Sequence, residues 1–503
     1  MDALNRPPIA ERRSLITRYA LLFVACVAFH VLGIWTLPLI DRDEPRFAEA
    51  SREMITRGDY VVPYFNNQLR FDKPPLTYWT QILSYRVFGQ NDFAARFPSA
   101  VAAALLALTL PVRGFRIGGE RVGWRAAIIF TLCLQTFVHA KAAVADMWLA
   151  LFVSLAHWSG LELLRDGLTN PTHREPKATY PVSHWWFLFY LAMALGFLAK
   201  GPIAWVPLLS VACTIFYAPN LQLTRRFKFV RGIALMLAVI AAWGVPALIR
   251  THGEFFRIGI GRHVIGRSLG AMEGHGWDSL GGYVVLLPFY VVTVFLSFFP
   301  WSVKLPSLVK TLWRRRDNID NYLFSGVAII FIIFSLVKTK LPHYTLPAFG
   351  MLALLVARHW EQGAPGDNRR PAFKAIAVTT ACVWIAMALL VPPAVARFFP
   401  AYQLFQVSRA SLQPKMQFAA VEFQEPSLVW YFRSRVQGFL TPLNKRRGRE
   451  FMSAPDARFI VLPTPVAGEL FANPPASWRF FTVSGFNIAK GKRVDLTLVL
   501  KPE

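Results

Sequence analysis

The chain has 503 residues, of which 54% are hydrophobic, 14% aromatic and only 17% charged. About a quarter of the residues are charged in soluble proteins, so an ordinary soluble enzyme is excluded and a polytopic membrane protein is indicated. The net charge is +26, from 55 Lys and Arg against 29 Asp and Glu. Basic connectors between spans explain this excess, so we predict no nucleic-acid partner.

Apolar runs long enough to cross a membrane recur along most of the chain. The polar connectors between them are short, and the first long one follows residue 40. We predict eleven spans, at 19–39, 96–113, 126–140, 146–164, 184–199, 202–217, 232–249, 281–303, 321–337, 343–358 and 375–396.

The distribution of Lys and Arg among the connectors predicts the orientation. With a cytoplasmic N-terminus, the cytoplasmic segments carry 24 of the 55 Lys and Arg, and the opposite loops carry 16. Cytoplasmic loops of membrane proteins are enriched in these residues. The N-terminus is therefore predicted inside and the C-terminal region outside.

The composition changes after Phe398, where short alternating runs replace the long apolar ones. We predict a transmembrane domain at 1–398 and a small α/β domain at 399–503, with strands at 459–462 and 494–500. Residues 399–503 carry 14 basic and 7 acidic residues, which suits an anionic membrane surface. A role limited to bracing the helices is an equal alternative.

Ionisable residues at membrane depth are costly and mark functional sites. In the predicted topology they cluster at the non-cytoplasmic ends of the spans, whereas residues that merely reach for the interface would occupy both faces. This one-sided set, with both signs of charge, predicts a shared cleft. Its members are Asp43, Glu44, Asp72, Lys73, Asp146, Lys200, His263, Lys338, Lys340 and His343.

The first outer loop begins with residues 41–55, DRDEPRFAEASREMI. Apolar residues at helical spacing predict a helix lying on the membrane, with Glu49 and Glu53 on its polar face. Asp43 or Glu44 suits the start of this helix as a cap. Because carboxylates and arginines crowd this turn beyond what a cap requires, we favour a functional role for Asp43.

The same loop continues with residues 71–79, FDKPPLTYW. Two prolines predict an extended entry into an amphipathic stretch at 76–88 and hold Lys73 beside Asp72. An ammonium group at the water interface suits a phosphate ligand. An interfacial salt bridge explains this stretch equally well.

Three further outer turns carry charge. Asp146 opens the fourth span, where a helix cap is the favoured interpretation of that residue alone. Lys200 lies in a Lys-Gly-Pro turn and fits either a membrane anchor or a phosphate ligand. Residues 335–344, SLVKTKLPHY, place two lysines, a histidine and a tyrosine close together, which anchoring alone does not explain.

Four of these runs resemble those of the bacterial family-39, C-type glycosyltransferases, in particular the aminoarabinose transferases that modify lipid A, which are similar to the protein O-mannosyltransferases. The runs are 43–49, 71–75, 197–201 and 338–344. The resemblance covers about residues 15–400. It implies an all-α fold of about 11 to 13 transmembrane helices, with interfacial helices in the first periplasmic loop, in the bacterial inner membrane.

The resemblance further implies transfer of a sugar from a polyprenyl-phosphate donor, such as undecaprenyl phosphate, on the periplasmic face. Asp43 matches the catalytic carboxylate of the family, with Glu44 beside it, and Asp146 matches a second acidic site residue. The predicted donor-phosphate ligands are Lys73, Lys200, Lys338, Lys340 and Tyr344. Direct attack by the acceptor, without a covalent enzyme intermediate, predicts inversion at the sugar.

A divalent metal, Zn, Mg or Mn, is also implied. In the aminoarabinose enzymes a glutamate before the loop lysine and a later histidine hold the ion. The matching residues are Asp72 and His263. The shorter aspartate departs from the family pattern.

The acceptor does not follow from the motifs, because the shared residues serve the donor phosphate and the chemistry. We expect an envelope acceptor, lipid A or another membrane glycolipid. The alternatives are a protein O-glycosyltransferase and, in a different class, a polyprenyl-linked glycan transporter or flippase. A transporter would line a path through the bilayer rather than gather charge on one face.

Overall fold

The computed structural model describes residues 9–169, 184–266, 279–362 and 369–502, although the side chains of 9–13, 260, 262–265 and 369–371 are not described. The described chain is mostly helical. Its α-helices before residue 220 are Ile9–Val31, Asp43–Arg57, Leu76–Phe88, Asp92–Gly118, Glu120–Leu132, Leu134–His139, Asp146–Thr169, Trp185–Lys200 and Val206–Ala212.

The later α-helices are Leu223–Phe227, Phe229–Arg250, Leu280–Val285, Phe289–Ser297, Leu305–Arg314, Asn318–Leu336, Phe349–Glu361, Arg369–Ala396, Pro400–Ser408, Pro426–Phe432, Lys445–Ser453 and Thr464–Leu470. A π-helix spans Phe255–Gly266. Short 3-10 helices lie at Pro202–Trp205, Cys213–Phe216, Trp301–Lys304, Pro342–Ala348 and Arg409–Ser411.

Among the described residues, six helices are long and apolar enough to cross a membrane. They are Ser14–Val31, Asp92–Gly118, Asp146–Thr169, Leu223–Arg250, Asn318–Leu336 and Ala372–Ala396, and two shorter apolar segments lie at Trp185–Lys200 and Pro202–Phe216. These helices make the chain a multi-pass membrane protein.

The predicted span at 184–199 coincides with the continuous helix Trp185–Lys200, whereas those at 126–140, 202–217, 281–303 and 343–358 each coincide with a broken helix. The predicted span at 281–303 is divided at Pro288 and Pro300, because proline lacks the backbone N–H that continues a helix. The span predicted at 126–140 breaks at Cys133, whose backbone is extended. The prediction of eleven spans is therefore not tested by helix length.

Contacts divide the chain into two compact units. The first comprises Met1–Val31, Phe71–Thr77 and Ser99–Ile385, and the second comprises Leu32–Arg70, Tyr78–Pro98 and Ala386–Glu503. Much of the first outer loop therefore groups with the C-terminal region. The domain boundary predicted between residues 398 and 399 stays a prediction.

The second unit contains a hairpin, β1 (Tyr64–Phe65) and β2 (Gln68–Leu69), and a five-stranded sheet. The sheet order is β4–β3–β5–β7–β6, with β3, β4 and β5 parallel and β7 antiparallel to both neighbours. Its strands are β3 (Gln417–Val421), β4 (Leu440–Leu443), β5 (Arg458–Pro463), β6 (Arg479–Asn487) and β7 (Lys492–Lys501).

Helices cover both faces of this sheet. On one face Ile460, Leu462 and Val499 pack with Met452 and Val466 of two helices. On the other face, the rings of Phe418 and Phe459 are stacked with centroids 5.2 Å apart, and Phe432 of helix Pro426–Phe432 packs on Phe459. The predicted α/β character of the C-terminal region is confirmed.

Helix Asp43–Arg57 differs from the expectation that Glu49 and Glu53 lie on an exposed face. Both residues are buried, with relative exposures of 0% and 1%. The Arg433 guanidinium contacts both carboxylates, and Arg52 also pairs with Glu49. The expectation was wrong because a charged helix face can be covered by basic residues nearly 400 positions away in sequence.

Candidate active site

A cavity of about 900 Å³ lies within the first unit. Much of its wall is apolar, and Phe197, Trp205, Trp243 and Phe255 contribute large rings. Six polar side chains of the predicted set line the same cavity, namely Asp72, Lys73, Asp146, Lys200, His343 and Tyr344. The cavity therefore combines a large apolar surface with a small charged region, as ligand sites commonly do.

Asp146 and Lys200 meet at the ends of two neighbouring helices. Asp146 is the first residue of its helix and Lys200 is the last residue of Trp185–Lys200. Lys200 Nζ lies 2.5 Å from Asp146 Oδ1. The helix dipoles favour an acid at the first position and a base at the second.

Gly201 allows the chain to turn sharply after Lys200. Its φ is +90°, a backbone conformation that residues with a Cβ atom rarely adopt. Pro202 then begins the following short helix. The Lys-Gly-Pro sequence thus ends one helix and begins the next, with Lys200 at the cavity wall.

Tyr344 completes the surroundings of Lys200. The Lys200 ammonium lies 5.2 Å from the centroid of the Tyr344 ring. That ring packs against Phe334 and His343, with centroid distances of 4.8 and 5.1 Å. The aromatic face therefore contacts the cation without neutralising its charge.

His139 and His343 also lie close to Asp146. The imidazole centroids lie 4.8 Å apart, and His343 Nε2 is 3.7 Å from Asp146 Oδ1. One ligand atom from each of the three side chains lies within 4.8 Å of the other two. His139 was not predicted from the sequence, although it lies one residue before the outer end of the predicted span at 126–140.

Asp72 and Lys73 lie in the segment that precedes helix Leu76–Phe88, the bounds predicted for the amphipathic stretch. Both residues line the cavity. Phe71 beside them packs edge-to-face on Phe255, with ring centroids 5.7 Å apart. Lys73 and Asp72 therefore line the same cavity as Lys200.

The remaining lysines of the predicted set do not line this cavity. Lys340 Nζ donates to the carbonyls of Phe334 and Ser335, at 3.0 and 2.5 Å. This contact satisfies carbonyls at the end of helix Asn318–Leu336, and burial lowers the pKa of Lys340. Lys338 is partly buried. Their predicted binding of the donor phosphate stays a prediction.

Of the two predicted metal ligands, only Asp72 has a described side chain. Asp72 lines the cavity, whereas the side chain of His263, in helix Phe255–Gly266, lies outside the described residues. Among the described side chains, the cluster with metal-ligand spacing is His139, Asp146 and His343.

Asp43 and Glu44 belong to the second unit and differ in their surroundings. Asp43 is exposed at the first residue of helix Asp43–Arg57. Arg42 occupies the N-cap position, and no side-chain hydrogen bond caps this helix end. Glu44 is buried, pairs with Arg96 and accepts a hydrogen bond from the Ile40 N–H at 2.7 Å. The capping alternative for Asp43 therefore has no support.

Asp41 precedes this helix and contacts the C-terminal region within the second unit. Ser427 N donates to Asp41 Oδ1 at 2.8 Å, and Ser427 Oγ donates to Oδ2 at 2.5 Å. Burial raises the pKa of Asp41 to about 7, although both hydrogen bonds oppose the shift. For Glu53, burial and the neighbouring Glu49 raise the pKa against the pull of Arg433.

Comparison with solved structures identifies the class of fold. The chain matches the crystal structure of ArnT from Cupriavidus metallidurans bound to undecaprenyl phosphate, with a TM-score of 0.77, 19% identity and coverage of 96% of this chain and 98% of the other. The apo form of the same protein gives a TM-score of 0.74. An oligosaccharyltransferase from Archaeoglobus fulgidus matches with a TM-score of 0.52 and 13% identity, over 92% of this chain and 69% of the other.

Sequence comparison shows which protein families this chain is similar to. Residues 72–245 match the model of the family described as dolichyl-phosphate-mannose-protein mannosyltransferase. An undecaprenyl phosphate-alpha-4-amino-4-deoxy-L-arabinose arabinosyl transferase of Sodalis glossinidius is 31% identical over 66% of this chain, and one of Enterobacter sp. is 28% identical over 79%. The matched region spans 57% and 68% of these two relatives. The predicted resemblance to the aminoarabinose transferases is confirmed.

Proposed function

We propose that this protein transfers a sugar from a polyprenyl-phosphate donor to an envelope glycolipid, and that lipid A is the acceptor. The names of the relatives make undecaprenyl phosphate carrying 4-amino-4-deoxy-L-arabinose the first donor to test. The protein is multi-pass, with a cytoplasmic N-terminus and its reaction on the periplasmic side of the bacterial inner membrane. The distribution of Lys and Arg supports this orientation.

The cavity of the first unit is the observation that carries the proposal. A polyprenyl phosphate has a long apolar chain and an anionic head, and the cavity offers aromatic walls together with Lys73 and Lys200. A soluble nucleotide sugar would not require such an extensive apolar wall. The pairing of two cations with apolar surface therefore favours a lipid-linked phosphate.

The lysines also suit the chemistry at the donor. When the bond between the sugar and the phosphate breaks, the lipid phosphate leaves as an anion with added negative charge. Lys200 Nζ is held at 2.5 Å from Asp146 Oδ1. A preorganised cation near the departing oxygen lowers the barrier, an effect worth about 10² to 10³ in rate for a single donor group.

Asp43 is proposed as the catalytic carboxylate that acts on the acceptor. It either takes the proton of an acceptor hydroxyl or orients an acceptor phosphate that needs no deprotonation. The acceptor oxygen then forms the new bond to the anomeric carbon while the bond to the donor phosphate breaks. This single displacement inverts the sugar. The exposed position of Asp43, without a capping contact, supports this role.

Mass spectrometry of the lipids of intact cells tests the proposal. Cells would carry the wild-type protein, no protein, or Asp43→Asn at equal abundance. We expect a polyprenyl-phosphate monosaccharide to accumulate in both defective strains, while lipid A loses the mass of the same sugar. If a protein or another glycolipid loses that sugar instead, that molecule rather than lipid A is the acceptor.

A transporter predicts a different pattern in the same experiment. If Asp43→Asn behaves as wild type and only the deletion changes the lipids, Asp43 is not catalytic and transport becomes the better explanation. Asp495→Asn is a matched control, because Asp495 is exposed on strand β7. It should leave the lipid profile unchanged.

A further inference from the structure

We propose that His139, Asp146 and His343 bind a divalent metal ion of the zinc type at the wall of the cavity. The binding of the ion follows from the three side chains alone. Its role, to hold an oxygen of the donor phosphate at an open coordination position, rests on the proposed function. This site differs from the Asp72 and His263 pair that the sequence resemblance implied.

The geometry of the cluster supports metal binding. The three ligand atoms lie within 4.8 Å of one another, and two of the three side chains, Asp146 and His343, also line the cavity. Zinc binds nitrogen and oxygen ligands at about 2.0–2.2 Å, so ligand atoms around one ion are about 3.3 Å apart. Small side-chain rotations about an entering ion therefore complete the site.

The donor set selects the class of metal. Two imidazoles and one carboxylate are the ligands of many catalytic zinc sites, which keep a further position for water or substrate. Magnesium and calcium prefer oxygen ligands and bind imidazole poorly. The cluster is thus suited to zinc or a similar transition metal, and two of its side chains, Asp146 and His343, line the cavity.

Gln135 is placed to orient one of the imidazoles. Its amide group lies one helical turn before His139, with Nε2 2.7 Å from His139 Nδ1. A half-turn of the amide places its oxygen opposite Nδ1, which then donates and leaves Nε2 without a proton. Histidine ligands of metals commonly donate their second N–H in this way.

The charges are consistent with an ion beside a phosphate. Lys200 already contacts Asp146 Oδ1, so a dication would leave the cluster with excess positive charge. The anionic head of the proposed donor supplies the compensating charge. The site should therefore bind the metal more tightly when a lipid phosphate is present.

The first test measures metal on the full-length protein purified in detergent. After removal of metal with a chelator, zinc would be titrated back and counted by elemental mass spectrometry. We expect about one zinc per chain. His139→Ala and His343→Ala should each weaken binding at least tenfold, whereas His184→Ala, at an exposed histidine, should not change it.

X-ray absorption at the zinc edge tests the wild-type protein without any substitution. The proposed cluster predicts two imidazole ligands, whereas the Asp72 and His263 pair supplies only one. A single imidazole, or loss of zinc in His263→Ala with full binding in His139→Ala and His343→Ala, would overturn the proposal. Less than one zinc per ten chains at micromolar free zinc would overturn it as well.

The same spectra separate this proposal from the proposed function. Addition of undecaprenyl phosphate to the zinc-loaded protein should add a phosphorus shell around the ion. If zinc binds with two imidazoles but the lipid adds no such shell, the metal site stands and its role toward the donor is wrong. If the lipid profiles of cells show no sugar transfer, the proposed function fails while the zinc count is unaffected.

Discussion

The carboxylate of Glu44 and the guanidinium of Arg96 form a two-point ion pair that is almost fully buried. Arg96 Nε lies 2.8 Å from Glu44 Oε1, and Arg96 Nη2 lies 2.6 Å from Oε2. Arg96 also donates to the carbonyls of Ile34 and Pro38, at 3.1 and 2.9 Å. The pair therefore fixes the chain that leads into helix Asp43–Arg57.

Glu44→Gln should reduce the stability of the protein. Removal of one partner leaves the buried Arg96 charge without its paired carboxylate, which costs about 3–5 kcal/mol. Thermal unfolding in detergent, followed by tryptophan fluorescence, measures the change. Glu120→Gln is the control, because Glu120 pairs with Arg18 at an exposed site and should cost about 1 kcal/mol or less.

The same variant tests the predicted catalytic role of Glu44. If Glu44→Gln unfolds at the wild-type temperature but loses sugar transfer, Glu44 acts in the chemistry. A lower unfolding temperature, with transfer per folded molecule within about threefold of wild type, assigns Glu44 to the structure.

Asp43→Asn should abolish most of the transfer and leave stability intact. Asp43 is exposed and makes no capping contact at its helix end, so the substitution should change the free energy of unfolding by about 0.5 kcal/mol or less. Loss of an acid–base group should lower the rate about 10² to 10⁴ fold. Transfer from a radiolabelled polyprenyl-phosphate sugar measures it, and equal rates in Asp43→Asn and Asp495→Asn would remove Asp43 from the mechanism.

Short motifs at the ends of spans predicted six polar residues of the cavity. Lys73 and Lys200 each lie beside a proline or glycine, and Tyr344 lies in a short run with Lys338, Lys340 and His343. The amphipathic helix at 76–88 also has its predicted bounds. In these places neighbouring residues in sequence determine the local structure, so the pattern is sufficient.

Contacts between segments that are distant in sequence could not be predicted. Glu49 pairs with Arg433, 384 residues away, and Glu44 pairs with Arg96, 52 residues away. No periodicity of either segment marks such a partner. His139 was not predicted either, because nothing in its local sequence marks the contact with His343.

Lys200→Met should impair transfer through the loss of a cation at the donor phosphate. We expect a decrease in kcat/KM of about 10² to 10³ fold. Lys310→Met, at an exposed lysine of helix Leu305–Arg314, is the control and should retain activity. Steady-state transfer with varied polyprenyl-phosphate donor is the measurement.

A double variant separates the charge of Lys200 from its structural contact. Lys200→Met leaves Asp146 without its ammonium partner, so the unfolding temperature should fall. Asp146→Asn together with Lys200→Met should recover part of that stability but none of the transfer. Recovery of transfer in the double variant would mean that Lys200 serves only to neutralise Asp146.

Asp41 should make stability depend on pH near neutrality. Its pKa in the folded protein is about 7, above the value near 3.9 of an unfolded chain. The folded state therefore binds a proton that the unfolded state has lost between about pH 4 and 7. The stabilisation is present at low pH and is lost as the pH rises through 7.

Comparison of Asp41→Asn with the wild type isolates this effect, because asparagine does not ionise. From pH 5 to pH 8 the wild type should lose roughly 1 to 3 kcal/mol of unfolding free energy relative to Asp41→Asn. The lower values apply because solvent screens part of the effect at a partly buried carboxyl. Unfolding temperatures measured across this range give the difference, with Asp495→Asn as the control that should follow the wild type.

Ser427→Ala sharpens the pH measurement. The two hydrogen bonds from Ser427 lower the pKa of Asp41, and the substitution removes the one from Oγ while the backbone N–H remains. The pKa of Asp41 should therefore be higher in Ser427→Ala, and the stability of this variant should fall at a higher pH than that of the wild type. Parallel stability curves for the wild type and Asp41→Asn would show instead that Asp41 is ionised throughout this range and that its contact with Ser427 acts as an ordinary charged helix cap.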